Sequence, residues 1–97
     1  VYCVETGACW VELKAPTRPK RESTRFLGDE GLRPSQINWH LKAASKKQRT
    51  YILIRDDKQE LFLVEGKFAT DINDWPVGIV REASLADNWE AIFEVLK

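Results

Sequence analysis

A carboxylate and an ammonium lie two residues apart, as Glu12 and Lys14, at the end of a short apolar segment. Residues 8–14 have the composition of a β-strand, in which side chains alternate between the two faces. Both charges therefore point to one face. The carboxylate can hold a divalent metal, and the lysine can orient water and offset phosphate charge, which suits phosphodiester hydrolysis. A solvated charge pair on an exposed strand face is the plainer interpretation.

The charges of the chain are divided between its two halves. The formal net charge is zero over 97 residues. Residues 14–49 nevertheless carry ten Lys or Arg against three acids, whereas residues 50–97 carry five against ten. A basic half that begins at the Glu-x-Lys segment is what a phosphate-binding face requires. The alternative is an ordinary solvated helix face beside a basic loop.

The elements before the first helix are predicted from turn chemistry. Residues 1–4 and 8–14 flank Glu5-Thr6-Gly7, which predicts a β-hairpin whose second strand ends at Ala15-Pro16. Glu12 should be at least partly exposed at that strand end. Residues 17–33 are rich in basic residues, Pro and Gly, which predicts a long loop that is either functional or disordered.

A helix and a buried strand should follow this loop. Pro34 suits the first turn of a helix, and Ile37, Leu41 and Ala44 have the spacing of a core-facing stripe. Residues 50–55 form a nearly continuous apolar run, which is typical of a strand inside a sheet. A strand, a crossover helix and a buried strand predict a βαβ-like unit with parallel pairing.

The last part of the chain completes a small α/β fold. Residues 60–65 should pair antiparallel with the buried strand, and residues 67–75 form at most a short helix that ends before Pro76 and Gly78. Ser84 with Asp87 resembles a capping box. It should begin a final helix whose core face contains Leu85, Trp89, Ile92, Phe93 and Leu96. We therefore predict one domain over residues 1–97, with a small mixed β-sheet flanked by helices.

Cysteine usage and hydropathy indicate the cellular compartment in which we expect the protein. No apolar run is long enough to span a membrane and no signal peptide is evident, so we expect a cytoplasmic protein without a membrane partner. Cys3 and Cys9 could lie opposite each other in the hairpin, and we interpret them as small hydrophobes in a reducing compartment, with a disulfide as the alternative. His40 is the only histidine, so no metal-ligand spacing is present.

The residues around Glu12 and the helix start together resemble a known family. The segments are Trp10-Val11-Glu12-Leu13-Lys14-Ala15-Pro16 and Leu32-Arg33-Pro34-Ser35-Gln36-Ile37-Asn38-Trp39-His40. Their order resembles the PD-(D/E)xK nuclease superfamily, and most of all its virus-type replication-repair nuclease domains, which occur in phages and in DNA-repair nucleases. The resemblance covers about residues 1–55 and implies a restriction-endonuclease-like core.

The resemblance implies a role for individual residues. Glu12 would be a metal ligand for Mg²⁺ or Mn²⁺, together with the backbone carbonyl of Leu13, and Lys14 would be the catalytic lysine. Gln36 would line the catalytic site, although a helix-start amide often bonds only to local backbone. We interpret Trp39 as packing. His40, one turn after Gln36, could approach the site, although a lone histidine on a helix is more often incidental. Phosphate contacts are predicted for seven basic side chains, Arg18, Lys20, Arg21, Arg25, Lys42, Lys46 and Lys47.

One ligand that the family uses is not in this sequence. The family places an acid, usually Asp, at the start of the first hairpin strand, a position that falls just before Val1. We therefore expect either that native N-terminal elements precede Val1 or that the chain is an inactive descendant.

Three functions remain open from the sequence. The first is a metal-dependent endonuclease that acts on duplex or branched DNA and, as the resemblance implies, is structure-selective for branched or junction DNA, with a homodimer as the weaker expectation. The second is a non-catalytic nucleic-acid-binding module on the same fold. The third is a small interaction protein whose basic half meets its acidic half in a homo-oligomer.

Overall fold

A computed structural model of the chain describes residues 3–6, as backbone, and residues 9–96. The strands are β1 (Cys3–Thr6), β2 (Cys9–Lys14), β3 (Arg49–Arg55) and β4 (Leu61–Glu65). The helices are α1 (Pro34–Ser45), α2 (Val77–Ala83) and α3 (Trp89–Leu96). Short 3₁₀ turns occur at Gly28–Glu30, Gly66–Phe68 and Ile72–Asp74.

The sheet is mixed, and its order follows the chain from β1 to β4. Its centre is the parallel pair β2–β3, joined by the crossover that contains α1. β4 runs antiparallel to β3, and β1 runs antiparallel to β2. This confirms the predicted parallel pairing and the small mixed sheet flanked by helices. The register pairs Cys9 with Thr6 and Cys3 with Glu12, so the two cysteines are not opposite each other.

Helices cover both faces of the sheet because the strands alternate their apolar side chains. Ile52, Ile54, Phe62 and Val64 contribute to one cluster, where Val77 and Val80 of α2 also pack. The opposite face carries Tyr51, Leu53 and Leu63, against which Ile92 and Leu96 of α3 pack. Glu12 and Lys14 belong to the same face as Ile52 and Ile54, their partners in the parallel register. The pair therefore faces α1 rather than α3.

The long connection before α1 is ordered and contributes to the core. Phe26, Leu27 and Leu32 are buried in the first cluster. The Phe26 amide donates to the Trp75 carbonyl at 2.9 Å, and Arg25 forms an isolated bridge with Pro76. Of the two predicted alternatives, the disordered loop is excluded because three large apolar side chains anchor the segment, and the functional loop stays a prediction.

The buried face of α1 differs from the predicted stripe. Ile37 is half-buried, but Leu41 is 41% exposed and Ala44 is exposed. The buried residues of the helix are His40 and Ala43. The apolar spacing predicted the wrong buried face, because the side of α1 that meets the sheet carries polar groups, which bond to polar groups of β2 and β3.

The C-terminal helices also differ from the prediction. α2 begins after Pro76 and contains Gly78, where we expected the chain to stop being helical. Ser84 caps the end of α2, and its hydroxyl accepts from the Leu63 amide instead of opening α3. In α3, Ile92 and Leu96 are buried as predicted, whereas Trp89 and Phe93 are exposed. Leu85, which was predicted to belong to the same helix face, lies before α3 and is also exposed.

No helix within residues 3–6 and 9–96 is long and apolar enough to cross a membrane.

Candidate active site

Glu12 lies at the centre of a polar cluster between β2 and α1. Its side chain is only 1% exposed, which corrects the expectation of a partly exposed carboxylate. Oε1 is 2.9 Å from His40 Nε2, and Oε2 is 3.5 Å from Lys14 Nζ. Oε2 is buried and has no hydrogen-bond partner in the described part of the chain. Because leaving a buried carboxylate oxygen unbonded is costly, this atom is a site where a further ligand would be stabilised.

His40 connects Glu12 to β3. The ring is fully buried, and its Nδ1 is 3.1 Å from the Thr50 hydroxyl. A carboxylate oxygen can only accept a hydrogen bond, so Nε2 is the protonated ring nitrogen and donates its hydrogen bond to Glu12. In the neutral ring Nδ1 then accepts from Thr50. Both ring nitrogens are therefore bonded, and the ring fixes the orientation of the Glu12 carboxylate.

Gly66 leaves the space in which His40 and Thr50 meet. A Cβ atom at this position would lie 1.8 Å from Thr50 Oγ1 and 2.8 Å from His40 Nδ1. No side chain fits at either distance without displacing one of the two partners. The glycine is thus a steric requirement of the cluster, at the point where β4 passes into the following 3₁₀ turn.

Lys14 is held among three oxygens. Its Nζ is 3.5 Å from Glu12 Oε2, 3.3 Å from Gln36 Oε1 and 3.4 Å from the Gly31 carbonyl. The residue is 5% exposed, and its ammonium covers the unbonded oxygen of Glu12. Three oxygens around one cation are the ligand type that a hard divalent metal also prefers.

Gln36 bonds both to local backbone and to the cluster. Its Oε1 accepts from the Arg33 amide at 2.9 Å, which forms part of a capping box at the start of α1. The same atom accepts from Lys14. The amide therefore contacts both the helix start and the lysine of the cluster, and its role at a catalytic site stays a prediction.

The donor set fits a magnesium or manganese ion in part. The Glu12 oxygen without a partner and the Gln36 oxygen are suitable hard ligands, since Mg²⁺ often uses one or two carboxylates with water and phosphate oxygens. However, the described residues contain no group of three or more His, Cys, Asp or Glu that could hold a metal ion. The side chain of Leu13 belongs to the opposite face of the sheet, in the second core cluster.

Two of the predicted DNA-binding residues are engaged by acids of this chain. The Arg18 side chain bonds to Asp56 and Glu60, and its backbone amide donates to Asp57. Arg25 lies 3.5 Å from Asp74 at an exposed position. Arg18 is therefore paired within the chain, and its phosphate contact stays a prediction. The basic and acidic halves meet at this point within one chain, without requiring a second copy.

The other predicted DNA-binding residues lie on the surface. Lys20 and Arg21 are exposed in the long connection, and Lys42, Lys46 and Lys47 are exposed on α1 or just after it. Lys42 and Lys46 line a shallow depression beside Trp39, which is 36% exposed and meets Trp10 edge to face at 5.9 Å. Lys42 lies on the same helix as His40 and Lys46 caps the end of that helix, but neither side chain is buried with His40.

Sequence reasoning gave one further member of the cluster as the less common alternative and missed two. His40 could approach the site but was interpreted as more often incidental, and Thr50 and Gly66 were not considered. Two signals point to His40 and Thr50. Gln36 and His40 are four residues apart and share a helix face, and Thr50 is a polar residue inside an apolar strand, in parallel register with Trp10.

In comparisons with protein families, curated proteins and solved structures, no match to this chain was found.

Proposed function

We propose that the chain is a metal-dependent endonuclease that hydrolyses phosphodiester bonds in DNA, with a restriction-endonuclease-like core. One observation carries the proposal. Glu12, Lys14 and Gln36, three residues that the family resemblance marks, converge on one cluster in which a buried Glu12 oxygen accepts no hydrogen bond from the described residues. An unrelated surface charge pair would not be expected to have an ordered, buried set of oxygens around it.

Each residue then has a distinct task. Glu12 supplies a carboxylate oxygen to the metal, and His40 with Thr50 holds that carboxylate in one orientation. Gln36 holds the Lys14 ammonium near the place where a phosphate would lie. The metal, when bound, activates water and stabilises the charge that develops on the phosphate. Because Lys14 covers Glu12 Oε2, its ammonium must move aside before a metal can bind there.

A second carboxylate would strengthen the site. The resemblance implies an Asp just before Val1, and Mg²⁺ dehydrates reluctantly, so a single carboxylate should bind it weakly. We therefore expect a chain extended at its N-terminus by a segment that supplies an Asp at that position to bind Mn²⁺ more tightly and to cleave faster. Equal cleavage by the chain with and without the extension would contradict this assignment.

The burial of the pair favours a second candidate function. Glu12 and Lys14 are 1% and 5% exposed, and substrate reaches such groups only after the cluster opens. A nucleic-acid-binding module on the same fold would use the cluster for stability alone.

Homodimerisation through the sheet edges, β1 and β4, stays a prediction.

The test compares wild type with Glu12→Gln on branched DNA in Mn²⁺. Gln keeps the size of the side chain and an oxygen that can accept from His40, so the fold should survive. We expect Glu12→Gln to lose cleavage and to weaken Mn²⁺ binding by calorimetry. Glu82→Gln, at an exposed position of α2, is the control and should behave as wild type. If wild type binds DNA without cleaving it, the binding module is correct.

A further inference from the structure

A pocket opens at the edge of the sheet where the parallel strands β2 and β3 end. Its volume is about 430 Å³, within the range of small-ligand sites. Leu13 and Leu53, which are paired in the parallel register, line it with apolar surface, and the indole of Trp89 lines it from α3. In open α/β sheets, ligands bind outside the carboxyl ends of the parallel strands. We call this cavity the edge pocket.

Charged residues also line the edge pocket. Lys14 and Arg55 are the last residues of β2 and β3, and both contribute to its lining. Glu30 supplies a carboxylate from the connection before α1. A pocket with apolar surface and both donors and acceptors suits a flat heteroaromatic ligand better than an aliphatic one. Lys14 is also a member of the polar cluster, but its ammonium is buried there on the other face of the sheet, among Glu12, Gln36 and Gly31.

Trp89 is unusually accessible for a large aromatic residue. Its side chain is 47% exposed at the first position of α3, and its ring stacks on Phe93 with centroids 6.1 Å apart and planes inclined by 26°. The neighbour restricts the indole from one side. An exposed, restrained ring beside cationic residues is the arrangement that proteins use to stack unpaired bases.

We propose that the edge pocket binds an unpaired nucleobase, stacked on Trp89. This inference rests on the proposed function, because it takes the ligand to be a nucleic acid. A base inside a duplex is already stacked and cannot enter the pocket, so the pocket takes a base only from an unpaired nucleotide.

The experiment measures binding without cleavage. Fluorescence anisotropy in EDTA would follow a labelled oligothymidylate and the matching abasic strand, which carries the same phosphates without bases. We expect wild type to prefer the oligothymidylate. Trp89→Ala should weaken binding of that strand about tenfold, as typical base–aromatic stacking implies, and should leave the abasic strand unaffected. Trp89→Phe should retain most of the preference, and it serves as the informative variant if Trp89→Ala does not fold.

A control and the contrary outcomes complete the test. Leu85→Ala removes another exposed apolar side chain, outside the edge pocket, and should change neither affinity. Equal binding of both strands by wild type, or an unchanged preference in Trp89→Ala, would overturn the proposal. If Trp89 governs strand binding but no Glu12-dependent cleavage is found, the pocket stands and the hydrolytic function fails. If cleavage depends on Glu12 while Trp89 has no effect, only the pocket is wrong.

Discussion

His40 Nε2 lies 2.9 Å from Glu12 Oε1, and this contact joins the buried face of α1 to the face of β2 that carries the candidate active site. Both side chains are excluded from solvent. The bond orients the carboxylate and still leaves its second oxygen without a hydrogen bond from the described residues. One contact therefore contributes to the stability of the fold and also prepares a ligand position.

The first prediction concerns that bond. His40→Ala removes the donor to Glu12 and the partner of Thr50, and leaves a cavity between α1 and the sheet. We expect the free energy of unfolding to fall by about 3 kcal/mol, because a buried carboxylate loses its hydrogen bond. Urea denaturation would measure the loss. Asn38→Ala, at an exposed position of the same helix, should change it by less than about 0.5 kcal/mol. A similar small effect for both variants would contradict the assigned contact.

The second prediction concerns Gly66. Gly66→Ala places a Cβ where Thr50 Oγ1 and His40 Nδ1 now lie, so the 3.1 Å contact between them must break or shift. We expect the free energy of unfolding to fall by about 1–3 kcal/mol, which is the typical effect of overpacking a buried site. Gly78→Ala is the matched control, because its added Cβ meets no atom within 4 Å. Within helix α2 that control should be neutral or slightly stabilising. NMR of the His40 ring protons would detect the displacement directly.

The third prediction concerns salt. If the exposed lysines and arginines contact phosphates, DNA affinity should fall steeply with ionic strength, with a log–log slope of about −0.9 per contact. Lys20→Glu with Arg21→Glu should reduce the magnitude of that slope. Arg18→Ala is the contrast, since Arg18 bonds to Asp56 and Glu60 and should change stability more than the slope. A DNA affinity that does not depend on salt would contradict the predicted phosphate contacts of these lysines and arginines.

The fourth prediction concerns acid. Hydrogen bonds from Arg81 lower the pKa of Glu60 below its ordinary value, and Arg18 adds to this effect, while partial burial opposes it. A carboxyl whose pKa is lower in the folded state stabilises the protein above its unfolded-state pKa, and loses that effect as pH falls through the folded-state value. Glu60→Gln should therefore lower the free energy of unfolding by about 1 kcal/mol at neutral pH and leave it unchanged in strong acid, as measured by urea denaturation at both pH values. Glu82→Gln controls for the loss of an exposed charge. A difference that persists in strong acid would contradict the ion pairs.

The sequence predicted an element correctly where the local composition of that segment alone determines its structure. The apolar run of β3 and the Pro34 start of α1 were predicted because local composition decides both. The buried face of α1 was not, because Leu41 follows the apolar pattern but His40 has the bonding partners, on strands far away in sequence. Pro76 was interpreted as a helix stop, although proline before the first turn is also a helix start. The pairing of Lys14 with Gly31 and Gln36 depends on how the long connection folds back, which no local pattern encodes.

The parallel pairing of β2 with β3 also determines when the cluster can form during folding. Residues 15–48 separate the two strands, so this long crossover must close before any β2–β3 contact is gained, at a cost in chain entropy. Glu12, His40 and Thr50 come from three successive elements that meet only after that closure. A partly folded chain would retain Glu12 as an ordinary solvated carboxylate. Assembly of this cluster should therefore coincide with the late, cooperative step of folding, and its integrity would report whether the whole domain has folded.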